Sequence, residues 1–300
     1  MTLYKLVLKI LSPLASELKG DTIWGHFVWG IAHHEGDEKV AQFLNECKTN
    51  EAPLICSSAF PHDTICKPIF SATEKTDEIL SLEKYAERKK IKKQKYISLS
   101  CLASNGQTTN DAIENPFTES QSFHTSVNRF SETAQEGTLF STIEWWTKRG
   151  ALFDLYILSA FDEERINELA SWAFETGFGA DASIGKGEIE IFEEAQKVSI
   201  EKKSRYYCAL APFVLDENER EKIKNVYADI FVRHGKLGGD FSVNENPYKK
   251  TVALFNEGAV LESDEEFSFV GKILSNVHTN EKICQSACAP VIPIFFEDTK

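Results

Sequence analysis

A glycine-rich loop with a helix before it and a strand after it is the feature that most restricts the fold. The loop reads Gly177-Phe-Gly-Ala-Asp-Ala-Ser-Ile-Gly-Lys-Gly187. From Glu163 to Glu175, apolar residues recur at the spacing of one helix face, and Gly177 is a helix stop. From Glu188 to Phe192, polar and apolar residues alternate, which is the period of a half-buried strand. The predicted order is therefore helix, loop, strand.

That order separates this loop from the glycine loops that bind nucleotides. P-loops and dinucleotide fingerprints run strand, loop, helix, and Lys186 is followed here by Gly187 instead of Ser or Thr. The sequence therefore disfavours an ATP site. Two interpretations remain: glycine amides that approach a nucleic-acid backbone, or a connecting turn that only needs positive φ. Spacing alone favours the turn.

Length and composition describe a globular, cytoplasmic protein. The chain has 300 residues, of which 42% are hydrophobic, and this predicts a sizeable core and two domains. No apolar run reaches the roughly 20 residues that span a bilayer, and the N-terminus has no signal-peptide core. The seven cysteines are scattered without a C-x-x-C pair, as in reduced cytosolic proteins.

The net charge of -13 opposes binding of nucleic acid over the whole surface, so any RNA contact must be local. The segment 84–95 is the best electrostatic footprint, because its basic residues are opposed only by Glu87. A solvated helix face is the alternative explanation of this run.

The first half predicts a βαββαβ set with a large insertion. Residues 3–11 form a strand that places Lys5 and Lys9 on one face, where they could meet an anion. Asp21 is predicted to cap a helix from about 22 to 33, and 151–160 forms a further strand. The insertion covers about 36–150 and includes a β-hairpin thumb.

The second half begins after a charged stretch near 193–204. We predict a first domain of 1–197, which contains the loop 177–187, and a second domain of 205–300. Strands are expected at 206–211, 227–233, 251–255, 269–277 and 291–296. The fold class is α+β, with two similar-sized halves.

No residue spacing predicts a metal or cofactor site. Neighbouring His33 and His34 point about 100° apart on a helix, and no further ligand is placed near them. Cys284 and Cys288 likewise lack partners at zinc spacing. We expect neither a cofactor nor a metal.

Several segments together resemble the RAMP superfamily of CRISPR proteins and, within it, the fourth Csm subunit of type III-A effector complexes. Their order and spacing carry the resemblance, which spans most of the chain: Leu18-Lys-Gly-Asp-Thr-Ile-Trp-Gly-His-Phe27, Ser126-Val-Asn-Arg129, Glu136-Gly-Thr-Leu-Phe140, the glycine loop, and Lys249-Lys-Thr-Val-Ala-Leu-Phe-Asn-Glu-Gly258.

The resemblance implies two tandem ferredoxin-like domains and a non-catalytic role in antiviral defence. It implies a subunit that caps the repeat-derived 5′ tag of the crRNA. The expected partners are crRNA, the large polymerase-bearing subunit, a backbone RAMP subunit and, indirectly, target RNA, with no membrane.

The same resemblance implies RNA-binding residues. In the glycine loop, backbone N–H groups are expected to matter more than charge, because Asp181 and Glu188 offset Lys186. Arg129, on the inserted hairpin, offers a planar fork for phosphate or base, with a surface ion pair to Glu132 as the alternative. The expected RNA-binding set is Lys5, Lys9, Lys19, His124, Ser126, Asn128, Arg129, Gly177, Gly179, Ser183, Gly185, Lys186, Gly187, Lys236, Gly238 and Gly239.

The competing hypothesis is a metal-independent RAMP endoribonuclease that processes the crRNA precursor. The resemblance makes His26 its candidate general acid or base, because some RAMP relatives place a catalytic histidine near this helix, and an unperturbed imidazole with a pKa of about 6.5 could transfer the proton. His26 lies among Trp24, Phe27 and Trp29, so a partly buried structural histidine is the favoured interpretation.

Overall fold

A computed structural model describes residues 1–49, 53–69, 93–99, 113–200, 203–243 and 246–295, together with residues 81, 85, 86, 89 and 90. Part of the basic run 84–95, most of the polar stretch 104–114 and Cys101 lie outside these residues.

The first half of the chain combines helices with strands, and the described part of the second half consists mainly of strands. The helices in chain order are α1 Gly20–Glu35, α2 Asp37–Lys48, α3 Glu163–Phe174 and the one-turn α4 Glu217–Arg220. The strands in chain order are β1 Thr2–Ile10, β2 Leu54–Pro61, β3 Thr64–Cys66, β4 Tyr96–Ser98, β5 Phe117–His124, β6 Val127–Asn128, β7 Thr133–Ala134, β8 Phe140–Thr147, β9 Leu152–Ser159, β10 Ile189–Lys197, β11 Tyr206–Ala209, β12 Ile223–Tyr227, β13 Ile230–Arg233, β14 Val252–Phe255, β15 Val260–Ser263, β16 Phe269–Leu274 and β17 Gln285–Ile294.

The first sheet has four antiparallel strands in the order β10-β1-β9-β2. The elements follow one another as β1, α1, β2, β9, α3 and β10, which is βαββαβ connectivity. Alternation along β1 buries Tyr4, Leu6 and Leu8 in the core that also contains the apolar faces of α1 and α3. The glycine loop joins α3 to β10, so the predicted order of helix, loop and strand is observed.

The insertion starts later than the sequence predicted. The range 36–150 includes β2, and all eight residues of this strand are buried. The strand pairs with β9, so it belongs to the first sheet and not to an insertion. The inserted chain therefore begins after Pro61. It contains the β3–β4 pair and a long hairpin, β5 with β8, which has the β6–β7 pair at its tip.

The second sheet has five strands in the order β12-β15-β11-β17-β16. If β16 is left out and the order is read from the other end, the second sheet repeats the first. The strands β17, β11, β15 and β12 then correspond to β10, β1, β9 and β2. The helices differ: α4 is a single turn, and β16 occupies the chain position of the second helix. The described structure is thus mixed α and β with several sheets. The boundary between 197 and 205 stays a prediction.

The two halves share buried side chains. One apolar cluster joins Phe60 and Tyr156 of the first half to Cys208, Leu210 and Ile292 of the second.

The six described cysteines are all buried free thiols. None of the described helices is long and apolar enough to cross a membrane.

Asp21 has a different role from the one predicted. Its carboxylate lies in the first turn of α1, and Lys19, not Asp21, precedes the helix as its N-cap residue. It accepts two hydrogen bonds from the Arg233 guanidinium, at 2.7 and 2.6 Å, and one from Gln285 at 2.9 Å. Asp21 therefore ties α1 to the second half.

Candidate nucleic-acid interface

The glycine loop needs its glycines for backbone conformation. Gly177, Gly179, Gly185 and Gly187 have φ values of 86°, 78°, 91° and 70°, which L side chains rarely adopt. A Cβ on Gly187 would lie 2.0 Å from the carbonyl oxygen of Phe178. The loop is therefore a tightly closed turn, and the conformational explanation of its glycines is sufficient.

The amide groups of these four glycines are used inside the protein. Gly177 N–H donates to Phe174 and Gly185 N–H to Ala182. Gly179 N–H donates to His26 Nε2 at 3.1 Å, and Gly187 N–H donates to the Pro13 carbonyl at 2.9 Å. These donors are already engaged in this conformation, and the expected contact of the loop with phosphates stays a prediction.

A different part of the loop offers free donors. Residues 181–183 start the 3₁₀ turn Ala182–Ile184, and no acceptor for their amides is found within the described part of the chain. Ser183 and Gly185 are exposed at this tip. The accessible part of the loop is therefore its tip, whereas Gly187 and Lys186 are buried at its base.

Lys186 is a structural cation. Its Nζ lies 2.9 Å from Glu144 Oε1 on β8 and 3.1 Å from Asp181 Oδ2, and the Lys186 and Glu144 side chains are only 10% and 8% exposed. Hydrogen bonding to Glu144 raises the pKa of Lys186, and the same bond lowers the pKa of Glu144. Because its charge is neutralised internally, Lys186 holds the loop to the hairpin, and its contact with RNA stays a prediction.

The segment 12–16 lies between the glycine loop and the hairpin. Leu14 exchanges two backbone hydrogen bonds with Trp145 of β8, at 3.0 and 2.9 Å. On the other side, Ser16 Oγ accepts from Ala180 N–H at 2.9 Å, and Ser12 Oγ accepts from Glu188 N–H at 2.8 Å. No sequence pattern indicates this role beyond the strand end at Ser12-Pro13. We call segment 12–16, the glycine loop and the hairpin the loop–hairpin unit.

His26 anchors the loop to α1. Its Nε2 accepts from Gly179 N–H at 3.1 Å, and its ring packs on Phe178 at 4.8 Å between centroids. Burial lowers the pKa of His26 to about 4, although the backbone of Ala173 acts in the opposite direction. The imidazole is therefore neutral near pH 7, with Nε2 occupied by the Gly179 amide.

The inserted hairpin exposes apolar side chains to a degree unusual for a globular surface. Its paired strands run in register from Phe117 opposite Thr147 to His124 opposite Phe140. Phe130 at the tip is 102% exposed. Other exposed apolar residues are Phe123, Val127, Leu139, Phe140, Ile143 and Trp146. Such a surface is suited to a partner, either stacked bases or protein.

The predicted hairpin residues lie at this exposed end. Ser126, Asn128 and Arg129 are exposed. Asn128 Oδ1 accepts from Phe130 N–H at 2.9 Å, which shapes the tip. His124 is half-buried, lies 2.9 Å from Thr142 Oγ1 and stacks on Phe140. The four residues are therefore brought together on one projecting element.

The three lysines predicted near the N-terminus are engaged with acidic groups. Lys5 Nζ lies 3.8 Å from the buried Asp154. Lys9 Nζ lies 3.3 Å from Glu190. Carboxylates on neighbouring strands therefore face both cations, and their assignment to RNA stays a prediction.

Lys19 is only 8% exposed. Its ammonium donates to Asn256 at 3.0 Å and to Glu257, and lies 4.9 Å from the Phe231 ring centroid. Lys19 therefore joins the two halves, and its assignment to RNA stays a prediction.

The predicted loop of the second half packs on α1. Cβ atoms on Gly238 and Gly239 would lie 3.0 and 2.8 Å from the Trp29 ring, so both glycines permit this close approach. Lys236 is exposed, and its backbone pairs with Tyr248. This loop and the glycine loop therefore contact α1 near one another, at Trp29 and His26.

Comparison with known proteins identifies the fold. No family model and no curated protein matches the sequence. Among solved structures, a chain of a Csm1–Csm4 cassette in complex with AMPPNP superimposes with a TM-score of 0.60, 15% identity and 99% coverage of both chains. A chain of a Csm3–Csm4 subcomplex from a type III-A CRISPR-Cas interference complex gives a TM-score of 0.57, 13% identity, and coverage of 98% of this chain and 99% of that one. A chain of a type III-B Cmr-beta complex bound to cognate target RNA and AMPPnP gives 0.51 and 12%, with 86% coverage of each.

The fold is that of chains from type III CRISPR assemblies. Within that class it is Csm4-like, because Csm4 is the component common to the cassette and the subcomplex. The resemblance seen in the sequence is thereby confirmed for the fold. At 12–15% identity, the likeness concerns the fold alone.

Proposed function

We propose that this chain is a crRNA-binding subunit of a type III-A CRISPR interference complex. It would cap the repeat-derived 5′ tag and bridge the large polymerase-bearing subunit to the backbone subunits. The observation that carries the proposal is the end-to-end likeness to chains from a Csm1–Csm4 cassette and from a Csm3–Csm4 subcomplex. We also read the second half as a ferredoxin-like domain whose helices are reduced.

The loop–hairpin unit supports the proposal. The hairpin tip presents a guanidinium at Arg129 and a fully exposed aromatic ring at Phe130. A guanidinium can pair with a phosphate group, and an exposed aromatic ring can stack on a base. The free amides of residues 181–183 supply donors at the loop tip. Because the protein is acidic as a whole, contacts confined to these tips fit a local interface.

The proposed role is non-catalytic. The ribonuclease hypothesis requires a histidine that exchanges protons near neutral pH, whereas burial lowers the pKa of His26 to about 4 and its Nε2 accepts a hydrogen bond from the Gly179 amide. The structural assignment of His26 is therefore favoured. A His26→Gln chain that had lost a repeat-RNA cleavage activity measured for the wild-type chain would restore the enzyme hypothesis.

A charge reversal at the hairpin tip tests the RNA-binding role. Arg129→Glu is expected to reduce crRNA recovered per complex about tenfold, because it removes a phosphate partner and adds a repelling charge. Arg149→Glu is the matched control: it changes charge equally at an exposed site where the hairpin base returns to β9. The assay is co-expression with the other subunits and a repeat-spacer transcript, affinity purification and quantification of RNA. Equal RNA recovery from both variants would contradict the assigned tip.

A further inference from the structure

A second polar site lies outside the loop–hairpin unit, where the insertion leaves the first sheet. The turn between β2 and β3 contains His62 and Asp63, and β9 brings Asp154 against it from 91–92 residues away in sequence. Sequence spacing gave no sign of this cluster. One ligand atom from each of the three side chains lies within 4.8 Å of the others.

Asp154 is fully buried and fixes the turn. Its Oδ1 lies 2.7 Å from His62 Nδ1, and its Oδ2 accepts from the Asp63 N–H at 2.9 Å. The His62 backbone N–H also donates to Leu152, at 3.0 Å. A buried carboxylate bonded to Nδ1 fixes the tautomer in which Nε2 carries the lone pair. This is the arrangement by which carboxylates orient metal-binding histidines.

The outer side of the ring has a second carboxylate at a suitable distance. His62 Nε2 and Asp63 Oδ2 are 3.6 Å apart, and these side chains are 36% and 71% exposed. Two ligands bound at ~2.0–2.2 Å in tetrahedral geometry lie about 3.4 Å apart. A cation between the two atoms therefore needs only a small closure of the exposed Asp63 side chain.

The buried wall contains an unsatisfied group. Tyr156 is 3% exposed, and its hydroxyl has no hydrogen-bond partner within the described residues. Asp154 and Asp63 are close enough to add to the rise of its pKa caused by burial. Lys5 Nζ, 3.8 Å from Asp154 Oδ2, balances the charge of that buried carboxylate, and within the described residues the Asp63 carboxylate pairs only with the imidazole.

We propose that His62 Nε2 and Asp63 bind a divalent transition-metal cation of the zinc type, with Asp154 as the positioning residue. Nitrogen and carboxylate oxygen together suit such a cation. Two protein ligands leave coordination positions open to water or to a group from a partner. The bound cation would clamp the start of the insertion to the first sheet.

Calorimetric titration of the chelator-treated full chain with ZnCl₂ tests the site. The wild type is expected to bind one equivalent, and His62→Gln and Asp63→Asn to weaken that binding at least tenfold. Asp154→Asn is expected to weaken it about 10- to 100-fold. The matched control is His34→Gln, because His34 forms an ordinary exposed pair with Glu175 at 2.8 Å.

Imidazole ¹⁵N NMR distinguishes metal binding by His62 from a purely structural role. Addition of Zn²⁺ should change the chemical shift of His62 Nε2 selectively. The exposed Asp63→Asn variant keeps the test valid if the Asp154 variant fails to fold. The proposal would be overturned if the wild type showed no saturable binding of Zn²⁺, or if the His62 and Asp63 variants bound Zn²⁺ as tightly as the wild type. It would also be overturned if His34→Gln weakened binding as much as His62→Gln does.

Discussion

Replacement of His26 by Gln should remove a pH-dependent component of stability. Burial lowers the pKa of His26 from 6.5 to about 4 in the folded protein. Above pH 6.5 both folded and unfolded chains carry a neutral imidazole, so this stabilisation is fully present. Between pH 6.5 and 4 only the unfolded chain takes up the proton, and stability is lost as the pH falls. Each tenfold change in proton affinity is worth about 1.4 kcal/mol, so the loss approaches about 3 kcal/mol.

Urea unfolding at pH 7.5, 6, 5 and 4 measures this contribution. Wild-type stability should fall by about 3 kcal/mol more than that of His26→Gln over this range, since the carboxylates common to both proteins cancel in the comparison. At pH 7.5 the variant should already be about 1–3 kcal/mol less stable, because the Gly179 amide loses its acceptor. His234→Gln, at an exposed position, serves as control. Parallel pH profiles for wild type and His26→Gln would refute the assignment of His26 as a neutral buried anchor.

Two further predictions concern the glycine loop. Gly187→Ala should lower the free energy of unfolding, measured in urea, by more than about 3 kcal/mol, because its Cβ would overlap Phe178. Gly185→Ala, where a Cβ would meet open space, should lower it by only about 1 kcal/mol because of the positive φ. Equal losses of stability in the two variants would contradict the described packing. Lys186→Met should cost about 3 kcal/mol by leaving a buried carboxylate unpaired, against less than about 1 kcal/mol for Lys9→Met in a more exposed pair. A small loss for the Lys186 variant would show that this ion pair does not hold the loop.

Local patterns predicted the elements of the first half well. The amphipathic spacing before Gly177 and the alternation after Glu188 correspond to α3 and β10, and the order of helix, loop and strand follows from them. These signals are readable because one buried face imposes a fixed period on the sequence.

The start of the insertion was misjudged because β2 has no such period. The strand is buried on both faces, between the helices and the second half. Its residues 54–61 therefore show no alternation of polar and apolar side chains. A sequence without alternation does not indicate which sheet the strand joins. The shortening of the helices in the second half could not be predicted either, because the apolar patterns read there were those of strands only.

The site residues show a different limit. Composition marks Lys5, Lys19 and Lys186 as cations, but each faces a carboxylate that is distant in the chain. Pairings of this kind depend on the tertiary fold and have no sequence signature. The hairpin residues 126–129 remain exposed, and their assignment to RNA stays a prediction.

The most direct test of the central claim is purification of this chain from its native cells at moderate salt, with identification of the associated proteins and sequencing of the 5′ ends of any bound RNA. We expect a multisubunit particle whose RNAs all begin with one repeat-derived tag. A solitary protein without RNA, or RNAs with random 5′ ends, would contradict the proposed capping role.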